Sequence, residues 1–211
     1  MTGLYLSLDT ATDRPSLALG TPAEAGDDLV IPSRRDLSRE IEHAVAELLA
    51  ARGAGVRDLA GVVVADGPGS FTGLRIGIAF AKGVCRPRGL PLLAAPSLLG
   101  AAWTAVRGAG VALAEYDALR GDVYRAAYRL GPRGVQILLA PVLAAAGTSV
   151  ALPGGYARAT AQHASAAALI RLVGLVGGAR AVPDPAGWEP DYGRPAEAEA
   201  RYRARQAARG A

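Results

Sequence analysis

Asp9, Thr10 and Thr12 are the first residues in the chain whose types and spacing suit chemistry. They follow the alternating run Leu4-Tyr5-Leu6-Ser7-Leu8 and precede Ser16-Leu17-Ala18-Leu19, so they occupy the turn of a predicted β-hairpin. A carboxylate and two hydroxyls at a turn can hold a phosphate and its metal, and the same residue types also favour turns through local hydrogen bonds. The second candidate is the glycine-rich stretch Gly67-Pro68-Gly69-Ser70-Phe71-Thr72-Gly73. A Walker loop requires Lys and Ser or Thr straight after its second glycine, and Leu74-Arg75 follow Gly73 instead. A dinucleotide fingerprint requires an acidic residue ~20 positions on, and no Asp or Glu occurs from Gly67 through Ala114. His43 and Glu47 have the i, i+4 spacing of a metal pair, but a metal site needs a third ligand, and the only other histidine is His163. Asp117 and Asp122 read either as an acid/base pair or as the two ends of a hairpin turn.

The elements that position these groups are legible around Gly61–Cys85. Val62 to Ala65 is a short β-branched run and reads as a buried strand. Gly67-Pro68-Gly69 ends it with the strongest turn signal in the chain, and Ser70 or Thr72 caps a following helix. At 100° per residue Leu74, Ile76, Gly77, Ile78, Phe80, Ala81, Val84 and Cys85 cover about 200° of that helix, where a surface helix needs an apolar stripe of only ~100°. The excess predicts two contacts, one with the core and one with a second body. Gly73, Gly77 and Ala81 share one side and are expected to admit another backbone closely. An earlier helix is predicted from Asp36 or Ser38 to Arg52-Gly53, with Leu37, Ile41, Val45, Leu48 and Leu49 at helical spacing.

Gly67-Pro68-Gly69-Ser70-Phe71-Thr72-Gly73-Leu74-Arg75-Ile76-Gly77, followed by Ala81-Lys82-Gly83, resembles the signature of the TsaB (YeaZ) family. Asp117-Ala118 with Arg120-Gly121-Asp122-Val123-Tyr124 is similar to that family's second-lobe hairpin, with Leu119 inserted or displaced, and Pro190 to Glu199 is similar to its C-terminal signature. A strand ending in Asp-x-x-Thr is also similar to the first phosphate loop of the actin, Hsp70 and sugar-kinase superfamily. The resemblance implies an α/β, two-lobed, reduced actin-like (ASKHA) fold. It makes Asp9, Thr10 and Thr12 a vestigial phosphate loop, which need not bind anything. It implies a non-catalytic partner subunit in bacterial tRNA threonylcarbamoyladenosine synthesis. The partners implied are the catalytic paralogue TsaD, the ATPase TsaE through the complex, a second copy when TsaD is absent, and tRNA at most indirectly. The contact is expected on the two predicted helices, through Leu37, Ile41, Val45, Phe71, Gly73, Leu74, Ile76, Gly77, Phe80 and Ala81. No cofactor and no metal are expected on this chain; ATP belongs to the complex. The paralogue's His-x-x-x-His metal pair is absent, since Arg39 and Glu47 flank His43 at the four-residue spacings.

The rest of the chain agrees with these expectations or constrains them loosely. Its 211 residues are 51% hydrophobic and 20% charged, with a net charge of +4. Lys82 is the only lysine, so the basic balance comes from arginine, which also follows from a genome favouring Arg, Ala and Gly codons. Arg201, Arg203, Arg205 and Arg209 form one local basic cluster. One cysteine, Cys85, excludes an internal disulfide. The start lacks a basic n-region, and no apolar run has membrane-spanning character, so a cytoplasmic protein is expected. A phosphotransferase would need a second phosphate loop, and a metallopeptidase a metal set; neither is in the sequence. Lobes are expected at residues 1–108 and 109–211, divided at Gly108 and Gly110, with the terminal helix packing back on the first. Further elements are predicted at Asp27–Ser33 (strand), Pro91–Pro96 (strand), Ser97–Val106 (helix capped by Ser97), Val135–Ala146 (strand then helix), Val150–Leu152 (strand) and Ala164–Val176 (helix).

Overall fold

The computed structural model describes residues 3–32 and 36–193. Both the arginine cluster at 201–209 and the end of the C-terminal signature lie outside the described residues.

The first sheet grows from two apolar strands at its centre. Leu6, Leu8, Val62, Val63 and Val64 are all essentially inaccessible to solvent, because β1 (Leu4–Asp9) and β4 (Leu59–Ala65) run parallel at the middle of the sheet and are covered on both faces. β2 (Ser16–Gly20) returns antiparallel to β1 as the expected hairpin, and β3 (Leu29–Val30) adds a two-residue edge where a longer strand is predicted. On the other side β5 (Leu92–Ala95) pairs with β4, and β10 (Arg180–Ala181) closes the edge, giving the order β10-β5-β4-β1-β2-β3.

Two helices lie on this sheet beside each other. α1 (Leu37–Ala51) buries Leu37, Ile41, Ala44, Val45 and Leu49. It stops before Gly53, which adopts φ +59, the left-handed backbone that favours glycine after a helix. α2 (Phe71–Cys85) begins at Ser70, whose Oγ accepts the Gly73 N–H at 3.2 Å, so the predicted cap is present.

The second sheet is antiparallel over three strands, with order β8-β7-β6-β9. β6 (Gly110–Asp117) and β7 (Asp122–Gly131) form the expected hairpin. Asp117 Oδ1 accepts the Leu119 N–H at 2.8 Å and Asp122 donates its N–H to Leu119 O, so both carboxylate residues serve the turn. Residues 134–145 form one strand, β8 (Gly134–Ala145), not a strand followed by a helix. Pro141 misleads the sequence reading here. It sits where the pairing with β7 shifts register, an irregularity at which a missing N–H is tolerated. Val150–Leu152 is irregular, and the short strand lies later, at β9 (Ala157–Ala159), parallel to β6.

α3 (Ser97–Val106) packs against β6, β7 and β9, joining the two sheets. Its first residue does not cap it. Ser97 Oγ instead accepts the Gly67 N–H at 3.0 Å, which ties the glycine turn to the start of α3. After β9 the chain returns to the first sheet. α4 (Ala166–Arg171), shorter than the predicted helix, packs on β1, β2 and β4. A boundary at residue 108 therefore marks the change of sheet, but residues after 108 do not all belong to the second layer.

Candidate functional site

The Asp9 loop and the glycine turn meet at the ends of β1 and β4. Ser70 donates its N–H to Ala11 O at 2.7 Å, and a Cβ on Gly69 would stand 2.4 Å from that same carbonyl. The two loops are thus locked together through glycine's missing side chain. Asp9 is wholly buried at the end of β1. Its Oδ1 accepts the Ala11 N–H at 3.1 Å, while Oδ2 has no partner. Burial pushes its carboxyl from 3.8 up to about 7, opposed by the Ala11 hydrogen bond.

That shift has a sign. Below the unfolded-state pKa Asp9 is neutral in both states and costs nothing. As pH rises from about 4 towards 7, the folded protein holds a proton that the unfolded chain has released, so stability falls across that window. Asp9→Asn keeps the acceptor for Ala11 and removes the titration. Denaturant unfolding at pH 5 and pH 7 should show a slope in the wild-type protein that this variant flattens; equal slopes in the two proteins would refute the assignment.

Thr10 turns away from the cavity and packs against α2: a Cβ on Gly73 would clash with Thr10 O and one on Gly77 with Thr10 Oγ1. Thr12 Oγ1 accepts the Arg14 N–H at 3.2 Å. A cavity of about 510 Å³ opens beside these loops, between the two sheets. Thr12 lines it together with Asp13, Arg14, Ser70, Tyr116 and Asp117, whereas Asp9 and Thr10 do not. The lining carries two carboxylates against one guanidinium, a poor balance for a polyphosphate. Tyr116 donates its hydroxyl to Ser97 O at 3.0 Å, and burial holds it well above the usual phenol range. Cys85, buried at the end of α2, is pushed up to about 11 by desolvation, which disfavours the thiolate.

His43 and Glu47 are exposed on α1, and His163 Nδ1 accepts the Thr160 N–H at 3.1 Å on a distant turn. Among the described residues no cluster of three or more His, Cys, Asp or Glu forms.

The second candidate region is the outer surface of α2. Here the structure corrects the sequence-based interface. Leu37, Ile41, Val45, Leu74 and Ala81 are each at most 5% exposed and belong to the chain's own core. Gly73 and Gly77 admit a close backbone as expected, but it is the chain's own Thr10 loop. The sequence identifies glycines that need room; it does not say what fills the room.

The flank opposite α1 is closed too. Residues 184–193 run alongside α2, where the Tyr192 ring lies 4.4 Å from that of Phe71 and Lys82 Nζ donates to Trp188 O at 2.6 Å. Arg75 sits over the Phe71 ring at 5.4 Å. Sequence reasoning gave no sign of this strap, because Phe71–Tyr192 and Lys82–Trp188 join residues more than a hundred positions apart. With both flanks occupied, α2 presents outward a single stripe: Thr72, Ile76, Ala79, Phe80 and Gly83. Of the ten residues in the sequence-based interface, Ile76 and Phe80 lie on that stripe, and Phe71 lies half-buried beneath Tyr192.

The family model for TsaD, tRNA N6-adenosine threonylcarbamoyltransferase, matches residues 30–175. The tRNA threonylcarbamoyladenosine biosynthesis protein TsaB of Escherichia coli is 35% identical over 132 residues, covering 62% of this chain and 57% of that protein. A tRNA N6-adenosine threonylcarbamoyltransferase of Caulobacter vibrioides is 43% identical over 72 residues, 34% of this chain and 20% of that one. YeaZ from Pseudomonas aeruginosa superposes with a TM-score of 0.64 at 29% identity, covering 74% of this chain and 75% of that structure. The chain spans less than two thirds of the length of these curated relatives. Its two mixed sheets and flanking helices give the α/β class expected from the sequence. With the family model spanning most of the chain and the YeaZ structure superposing over 74% of it, this chain belongs to the family that the TsaD model describes, on its TsaB (YeaZ) branch.

Proposed function

We propose that the chain is the non-catalytic partner subunit in N6-threonylcarbamoylation of adenosine 37 in tRNAs reading codons that begin with A. It binds the catalytic paralogue TsaD, and the ATPase TsaE joins through the complex. The observation that carries this reading is the outward stripe of α2. Ile76 and Phe80 stand half-exposed on a helix whose other sides are occupied by the core, α1 and the strap. The contact therefore centres on Ile76 and Phe80, with Phe71 at its edge and the exposed residues of α1 beside it. Alone, the chain uses the same stripe to pair with a second copy. The names of its relatives support the pathway.

The cavity beside Thr12 is a poor seat for a polyphosphate, since two carboxylates face one guanidinium there and Asp9 is not among its lining residues. ATP and the chemistry belong to the complex. No helix among the described residues is long and apolar enough to cross a membrane.

The test is tRNA threonylcarbamoylation with purified TsaD, TsaE, threonylcarbamoyl-adenylate and ATP, with and without this chain. Activity should require its addition, and the chain alone should give none. Unchanged activity on omission, with no co-elution with TsaD, would overturn the proposal.

A further inference from the structure

The cavity of about 510 Å³ beside Thr12 has no part in the partner-subunit reading, yet its lining holds polar groups with nothing to bond. The N–H groups of Phe71 and Thr72 open α2, where the first turn of a helix has no internal acceptor. Among the described residues nothing accepts either of them. Thr12 is 6% exposed; its Oγ1 accepts the Arg14 N–H, while its own hydroxyl proton has no acceptor among the described residues. The Arg14 guanidinium stands exposed at the same turn and makes no ion pair among them. Asp13, between the two, is already engaged. The second sheet contributes one open acceptor. Asp117 spends Oδ1 on the Leu119 N–H at 2.8 Å, and its Oδ2 has no partner among the described residues.

The walls beside these groups are apolar: Phe71, Tyr116, Ala118, Leu119 and Tyr124. Tyr116 donates its hydroxyl to Ser97 O and Tyr124 to Tyr192 O, so both offer the cavity ring carbon. Leu119, 69% exposed, forms an apolar lip. Charge decides what fits. With about half a positive charge at the start of α2, one guanidinium and two carboxylates, the lining is close to neutral. It is also divided, with open donors on α2 and the β1–β2 turn and an open acceptor on the β6–β7 turn. A polyanion overloads the donors and meets the carboxylates; a simple cation leaves the donors unused. One carboxylate and one ammonium on a single small molecule satisfy both sides, and an apolar body covers the rings.

We infer that this cavity binds a free α-amino acid with a large apolar side chain. Its carboxylate is held by the Phe71 and Thr72 N–H groups, the Thr12 hydroxyl and Arg14, and its ammonium by Asp117 Oδ2. The site needs neither TsaD nor tRNA. Binding is read on this chain alone, so its failure leaves the partner-subunit reading standing.

Amide chemical shifts of the full chain, titrated with L-leucine and L-phenylalanine, test this. Saturable shifts should fall on Thr12, Phe71, Thr72 and Asp117. Leucinamide, which lacks the carboxylate, and isocaproate, which lacks the ammonium, should each bind about tenfold more weakly or worse. Asp117→Asn keeps the acceptor for Leu119 N–H and should weaken leucine about tenfold while leaving isocaproate unchanged. Arg14→Gln, at an exposed side chain, should weaken leucine and leave leucinamide unchanged. Thermal unfolding of both variants is the control for folding. No saturation with either amino acid by about 10 mM, an affinity worth only about 3 kcal/mol, would overturn the inference. So would isocaproate binding as well as leucine, inorganic phosphate binding better than leucine, or full leucine binding by both variants.

Discussion

Gly77→Arg is expected to unfold the protein early, with loss of partner binding only as a consequence. A Cβ at position 77 would stand 2.4 Å from Thr10 Oγ1 and 3.0 Å from Thr10 Cγ2, before any of the arginine side chain is placed. Thr10 is 2% exposed and its loop is fixed through Ala11 to Ser70. Neither side can yield without parting the β1 turn from α2. Overpacking of this kind costs about 1–3 kcal/mol for a methylene or two, and a buried guanidinium adds several more. For a chain of this length each kcal/mol lowers Tm by about 2–4 °C, so a fall of about 10 °C or more should be seen by calorimetry. A wild-type Tm would show that the Thr10 loop is not seated on α2.

Gly83→Arg is expected to do the reverse. No atom lies within 4 Å of a Cβ built there, and the residue faces outward one turn beyond Ala79 and Phe80. Replacing a glycine inside a helix should stabilise it by about 0.5–1 kcal/mol. If α2 docks TsaD, the same arginine stands in the contact, with no partner for its charge. Loss of a central interface residue costs about 2 kcal/mol or more, equivalent to about 30-fold in affinity. Titration of TsaD with this variant should show that loss at an unchanged or raised Tm. Ile76→Arg should weaken binding in the same way. Full binding by both variants would remove α2 from the interface.

The contrast between these two glycines shows which parts of the site were legible in the sequence. Gly67–Gly77 reads well because its signals are local: a β-branched strand, a turn rich in glycine and proline, a capping serine. The Asp9 hairpin and α1 read well for the same reason. The direction each helix faces does not follow from local pattern. An apolar surface of about 200° says that two bodies touch α2, and one of them proved to be a loop and strap of the same chain. Ser97 shows the same limit, since a serine before a helix fits a cap, and its actual partner, Gly67, lies thirty residues away. β8 was misread because one proline in an apolar run signals a boundary in most settings and a tolerated irregularity on an edge.

The route of the chain after β9 has a consequence for synthesis on the ribosome. β5 gains its outer neighbour only from Arg180–Ala181, and β1, β2 and β4 gain the cover of α4 only from Ala166–Arg171. Arg180 also supplies the partner of the largely buried Asp66, at 2.5 Å. A nascent chain halted at Gly108 would carry most of the first sheet with one face bare, an edge open and that carboxylate unpaired. It has every strand needed to begin folding and lacks the pieces that finish it. The two sheets therefore mature together, late in translation, and the β1 end of the molecule waits on residues emitted after the second sheet has already emerged.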